Sequence, residues 1–152
     1  MIFGRGRPKR GEPSTDAGGV LDAKFQELQK VQENLLAELA ETQQKVADAG
    51  SARRRIEEQM KDLETRREAL SADEEKAARD GRLDVAEQVR EQIARLASEV
   101  ENVEDRYQQA TMSEKRLIGD EGAMRKQADE LSALKASIED HARQLKSMLQ
   151  TD

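Results

Sequence analysis

The hydrophobic positions of this chain recur at a helical period of 3.5 along two long segments, with a single break near Gly81. Stepping four and then three residues from Leu21 visits Phe25, Leu28, Gln32, Leu35, Leu39, Thr42, Val46, Ala49, Arg53, Ile56, Met60, Leu63, Arg67, Leu70, Glu74 and Ala77. A second register starts at Ala86 and visits Val89, Ile93, Leu96, Val100, Val103, Tyr107, Ala110, Glu114, Leu117, Glu121, Met124, Ala128, Leu131, Lys135, Ile138, Ala142, Leu145 and Leu149. An apolar residue at most a and d positions of so many consecutive heptads is the signature of α-helices that bury one seam against a partner. The pattern therefore predicts two long helices.

The break has the chemistry of a turn. In Arg79-Asp80-Gly81-Arg82-Leu83-Asp84, Gly81 suits the left-handed conformation that ends a helix, and Asp84 suits the cap of the next. If the chain reverses there, the seams face each other. The predicted fold class is all-α: a long antiparallel two-helix coiled-coil hairpin with a disordered N-terminal arm. Its parts are a flexible basic arm at 1–19 and a hairpin at 20–152, with arm one at about 20–79, the turn at about 80–83 and arm two at about 84–150. Counting outward from the turn sets residue i opposite about 160 minus i, with Leu63 near Ala97 and Leu35 near Arg125. Gly50 with Ser51, and Gly119 with Gly122, are the expected places for a bend or hinge. Val31, Leu36, Val85 and Ile118 lie outside the heptad positions and predict an additional apolar face for a neighbour.

The arm differs in kind from the helices. Met1, Ile2 and Phe3 form an apolar tip, and Arg5, Arg7, Lys9 and Arg10 follow among Gly4, Gly6, Pro8 and Gly11, a density of breakers that predicts no stable helix. Ser14, Thr15 and Asp16 are N-cap types, so helix one is expected to begin near Val20. An apolar tip beside basic side chains fits reversible attachment to an anionic membrane, each cation contributing roughly 1 kcal/mol near the surface. Ile2, Phe3, Arg5, Arg7, Lys9 and Arg10 are the candidate membrane contacts.

Composition narrows the function classes. Of 152 residues, 38% are charged and 2% aromatic, enough apolar matter for one stripe per helix and little for a globular core. The net charge of -6 argues against nucleic-acid binding along the helices. Cysteine is absent, which excludes thiolate chemistry and disulfides. No metal or cofactor set is expected either: His141 is the single histidine, and no phosphate-binding glycine loop occurs. Carboxylates abound, but on solvated faces that do not shift their pKa values by burial. No catalytic residue is assigned and the expectation is a non-enzyme. Without a secretory signal pattern or an apolar stretch of about 18 residues, the default location is cytoplasmic.

At the turn, Glu74-Glu75-Lys76-Ala77-Ala78-Arg79-Asp80-Gly81-Arg82-Leu83-Asp84-Val85-Ala86 resembles the corresponding segment of the phage shock protein A family. Ala52-Arg53-Arg54-Arg55-Ile56-Glu57 is similar to that family's helix-one pattern, and Met1-Ile2-Phe3-Gly4-Arg5 to the start of many members. The likeness extends over roughly 22–137. It implies a hairpin related to ESCRT-III proteins, peripheral on the inner face of the cell membrane, serving membrane maintenance or envelope stress. The partner implied is another copy or a related coiled-coil hairpin, including a longer relative that it would modulate. Residues 4–19 depart from the family's amphipathic N-terminal helix, and the family's further helices have no counterpart up to Asp152. Two alternatives remain open: a plain cytoplasmic coiled-coil scaffold or adaptor, and a protein-interaction element resembling the short helical hairpin shared by UvrB and UvrC, through Gly81 to Ala86 and Arg90 to Leu96.

Overall fold

The structure is a computed structural model that describes the backbone of residues 2–150 and the side chains of residues 19–150. It contains two α-helices, α1 (Ile2–Arg79) and α2 (Leu83–Gln150), which pack on each other as a hairpin. Among the described residues there is no strand. The heptads account for the packing. Every position of the first register except Arg67 is buried or half-buried, as is every position of the second from Ala86 to Ala142.

The turn is closed by three backbone bonds. Arg82 N–H donates to the Ala77 carbonyl at 2.9 Å, Gly81 N–H to Ala78 at 3.2 Å and Asp80 N–H to Lys76 at 3.0 Å. The first two are the paired bonds of a Schellman ending, which satisfy carbonyls that the helix leaves orphaned. That ending needs a left-handed residue at its centre, and Gly81 has φ 75°. Ala86 N–H then donates to the Arg82 carbonyl at 3.0 Å, so Arg82 is the N-cap residue of α2. Asp84, expected as that cap, stands instead in the first turn, where its charge complements the helix dipole.

Three further expectations change. Helical backbone begins at Ile2, where the sequence assigned a flexible arm and a start near Val20. A helix already formed extends without a new nucleus, which is the step that short breaker-rich segments fail at on their own. The register also shifts. Gln59 pairs with Arg106 and Arg53 with Glu114, which sets residue i opposite about 165 minus i, and Leu63 beside Val103 instead of Ala97. Two things cause it: the chain reverses between Arg79 and Leu83, so a backbone count from there already gives about 162 minus i, and each side chain leans by about one position toward its own helix N-terminus, away from the turn on α1 and toward it on α2. Finally, Leu145 and Leu149 occupy seam positions but are exposed.

Packing divides the chain into two units, Met1–Thr42 with Asp120–Asp152, called the terminal unit below, and Gln43–Gly119, the turn unit. The turn unit is centred on Leu63, Leu96 and Val103, with Ile56, Met60, Leu70 and Val100 packed around them. In the terminal unit the buried positions among the described residues are Thr42 and Ala128. Both helices run without interruption through the glycines expected to bend them.

Candidate functional site in the seam and its flanks

A two-helix hairpin offers three kinds of surface: the seam, the turn and the flanks beside the seam. The heptad places the side chains of all three.

The seam of the turn unit carries one ion-pair layer. Arg53 and Glu114 are both at a positions, and Arg53 Nε donates to Glu114 Oε2 at 2.6 Å, while Arg53 Nη1 donates to Glu57 Oε1 at 2.6 Å. Tyr107 Oη donates to the same Glu57 oxygen at 3.2 Å, so the ring fills the seam and its hydroxyl reaches the edge. The hydrogen bond to Glu114, then that carboxylate's charge, pushes the Arg53 guanidinium above its ordinary pKa. The pair is a quarter exposed on the Arg53 side and a fifth on the Glu114 side, so solvent screens it and its main effect is on register. The counting register placed Tyr107 opposite Arg53 and so missed this pairing; two opposite charges at a positions were the signal that finds it.

The terminal unit has a different polar layer. Lys135 Nζ donates to Gln32 Oε1 at 3.1 Å and lies 5.2 Å from the centre of the Phe25 ring, a cation–π distance. Gln32 Nε2 donates to Ser132 Oγ at 3.0 Å, and Thr42 Oγ1 to the Met124 sulfur at 3.5 Å. Carboxylates at seam positions are held against cations: Glu74 by Arg90 at 2.7 Å and Glu121 by Arg125 at 2.8 Å, besides Glu114.

Of the candidates from the sequence, Gly81, Arg82 and Asp84 come together at the turn, where Leu83 is exposed beside them. The side chains of Ile2, Phe3, Arg5, Arg7, Lys9 and Arg10 lie outside the described residues. His141 is exposed, its Nδ1 2.7 Å from the Ser137 carbonyl of its own helix. Among the described residues no group of three or more His, Asp or Glu is arranged to hold a metal ion, and no helix is long and apolar enough to cross a membrane.

The flanks separate the two units. In an antiparallel pair the g positions of both helices border one side of the seam. In the turn unit that border is polar: Gln59 accepts a 2.7 Å bond from Arg106 Nη2, and Asp62, Arg66, Glu99 and Asn102 line the same groove over Leu63 and Val103. In the terminal unit the corresponding groove is lined by Val31, Leu35, Leu131 and Leu134, with Asn34, Glu38, Gln127 and Glu130 around them. Val31 is 51% exposed and Leu134 48%. The sequence singled out Val31 but not Leu134; only the corrected register brings the two together.

The chain matches no protein-family model, and no curated protein or solved structure is significantly similar to it.

Proposed function

We propose that this protein is a non-enzymatic coiled-coil assembly element, a hairpin whose work is to bind other helices. The observation that carries the reading is the apolar flank of the terminal unit: Val31 and Leu134 remain exposed on a fold whose seam is already closed by its own two helices. Exposed leucine and valine side by side gain free energy by leaving water, about 25 cal/mol per Å² of apolar area covered. The seam's charges are spent on fixing register and leave the flanks to do the binding.

The resemblance at the turn extends this reading to a role like that of the phage shock protein A family, at the surface of an anionic membrane. There the four cations at Arg5, Arg7, Lys9 and Arg10 supply electrostatic attraction, and Ile2 and Phe3 shallow insertion, which gives reversible attachment. The acidic remainder of the chain is repelled by the same surface.

Sedimentation velocity over a hundredfold range of concentration, repeated with anionic vesicles, tests both parts. Association that grows with concentration is expected, together with co-sedimentation that falls when the four cations become Ala and when salt is raised. A chain that stays monomeric throughout contradicts assembly; vesicle binding indifferent to both changes contradicts the membrane role and leaves a scaffold.

A further inference from the structure

Resting on the assembly reading, we infer that the Val31–Leu134 flank of the terminal unit is the contact between two copies of this chain, which meet antiparallel about a two-fold axis at that pair. The flank is read from its two stripes. Lys24, Val31 and Glu38 recur every seven residues on α1, and Gln127, Leu134 and His141 do so on α2, so each apolar residue sits midway between polar ends.

The ends are unlike. On the side of the sequence leading to the turn, Glu38, Glu41 and Glu130 gather three carboxylates; on the other, Lys24 is balanced by Glu27 and joined by His141. Copies laid parallel in register would set the three carboxylates against the same three. Antiparallel copies set Glu38 of each against Lys24 of the other, turn the remaining carboxylates toward an end without net charge, and bring the apolar residues of both copies to the centre. Like charges facing each other across an interface are costly and opposite ones fix orientation. A two-fold contact also closes on itself, since the same patch is used twice.

The apolar centre is peculiar to this unit. The same flank of the turn unit carries Gln59, Arg66, Glu99 and Arg106, which pair or remain solvated and give a second helix nothing to cover. Nothing in the heptad requires the difference, because g positions tolerate either kind of residue.

The chain contains no cysteine, which makes single replacements clean probes. Val31→Cys alone should form an intermolecular disulfide, because the antiparallel axis sets Val31 against its own copy. Lys24→Cys mixed with Glu38→Cys should do the same, whereas Lys24→Cys alone should not, its two copies being about 20 Å apart along the helices. Leu134→Glu should weaken dimerisation by about tenfold or more with helicity retained, and Gln59→Glu on the polar flank should leave it unchanged. If the native chain associates but Leu134→Glu does not weaken it, or if Lys24→Cys crosslinks to itself, this interface is wrong while assembly stands. A native chain that never associates overturns both.

Discussion

The turn unit and the terminal unit share one heptad and differ in how far it closes. In the turn unit, Leu63, Ala77, Ala86, Leu96 and Val103 are buried by two helices alone. In the terminal unit Ala128 is the buried apolar residue, and seven of the eleven large apolar side chains that stand exposed among the described residues belong to it. Polar seam positions do not explain the contrast, since each unit has four, Gln32, Thr42, Glu121 and Lys135 against Arg53, Arg67, Glu74 and Glu114; the terminal unit differs in placing Val31, Leu36 and Leu134 on its flanks. Periodicity decides that a helix will pair; the distribution of apolar residues between seam and flank decides whether the pair is finished.

The largest expected effect is on the cores. Leu96→Ala removes a 6% exposed side chain beside Leu63 and Val103 and should cost about 2–4 kcal/mol. Leu131→Ala, at a half-buried position in the terminal unit, should cost about 1 kcal/mol, since less apolar area leaves water on folding. Denaturant unfolding followed by circular dichroism measures both. Equal losses would erase the distinction between the units.

Next in size is the turn itself, which only the turn unit contains. Gly81→Ala forces a side chain into φ 75° and should cost about 1–2 kcal/mol, although open space surrounds the added Cβ. The penalty is conformational and not steric, so Gly81→Asn should recover part of it. An unchanged midpoint for Gly81→Ala would mean that the Schellman ending does not hold the reversal.

The third comparison uses a glycine from each unit. Gly50 in the turn unit and Gly122 in the terminal unit both lie inside helices, and a Cβ built on either meets nothing within 4 Å. Replacing each by Ala should stabilise by about 0.5–1 kcal/mol through the backbone entropy that glycine gives up in a helix. Both added methyls enter open space, so the two gains should be equal, and a larger gain in one unit would show packing that only that unit supplies. Amide exchange around each site reports whether the unit it belongs to tightens.

Much of this was legible in the chain. Seam positions from Leu21 to Ala142 were readable because a period of 3.5 leaves little choice of face, and Gly81 because few residues tolerate its backbone. Exposure at Val31, Leu36, Val85 and Ile118 followed from their places outside the heptad. Register was missed because the count was not centred on the reversal at Gly81 and ignored the lean of side chains toward each helix N-terminus, about one position on each helix. With the register went the Arg53–Glu114 pair and the Val31–Leu134 flank, both products of cross-helix alignment. The cap of α2 was missed for a local reason: the Schellman ending spends Arg82 as its last residue, so α2 has to begin on it before Asp84 is reached.

The smallest effect on stability should come from the residues that set the register. Arg53 and Glu114 are partly exposed, and such a pair returns little net free energy once desolvation and screening are counted. Replacing both with Leu should therefore leave the unfolding midpoint unchanged or raised, because the seam gains two apolar side chains at a positions. Specificity should suffer instead. In the native chain, cysteines at Gln59 and Arg106, joined by a 2.7 Å hydrogen bond, should crosslink within one molecule far better than cysteines at Leu63 and Ala97. In the double-Leu background that preference should narrow, as a uniformly apolar seam permits neighbouring alignments that a charged layer penalises. A preference that survives intact would assign the register to the Schellman turn and the core around Leu96, and would leave the ion-pair layer without a role in alignment.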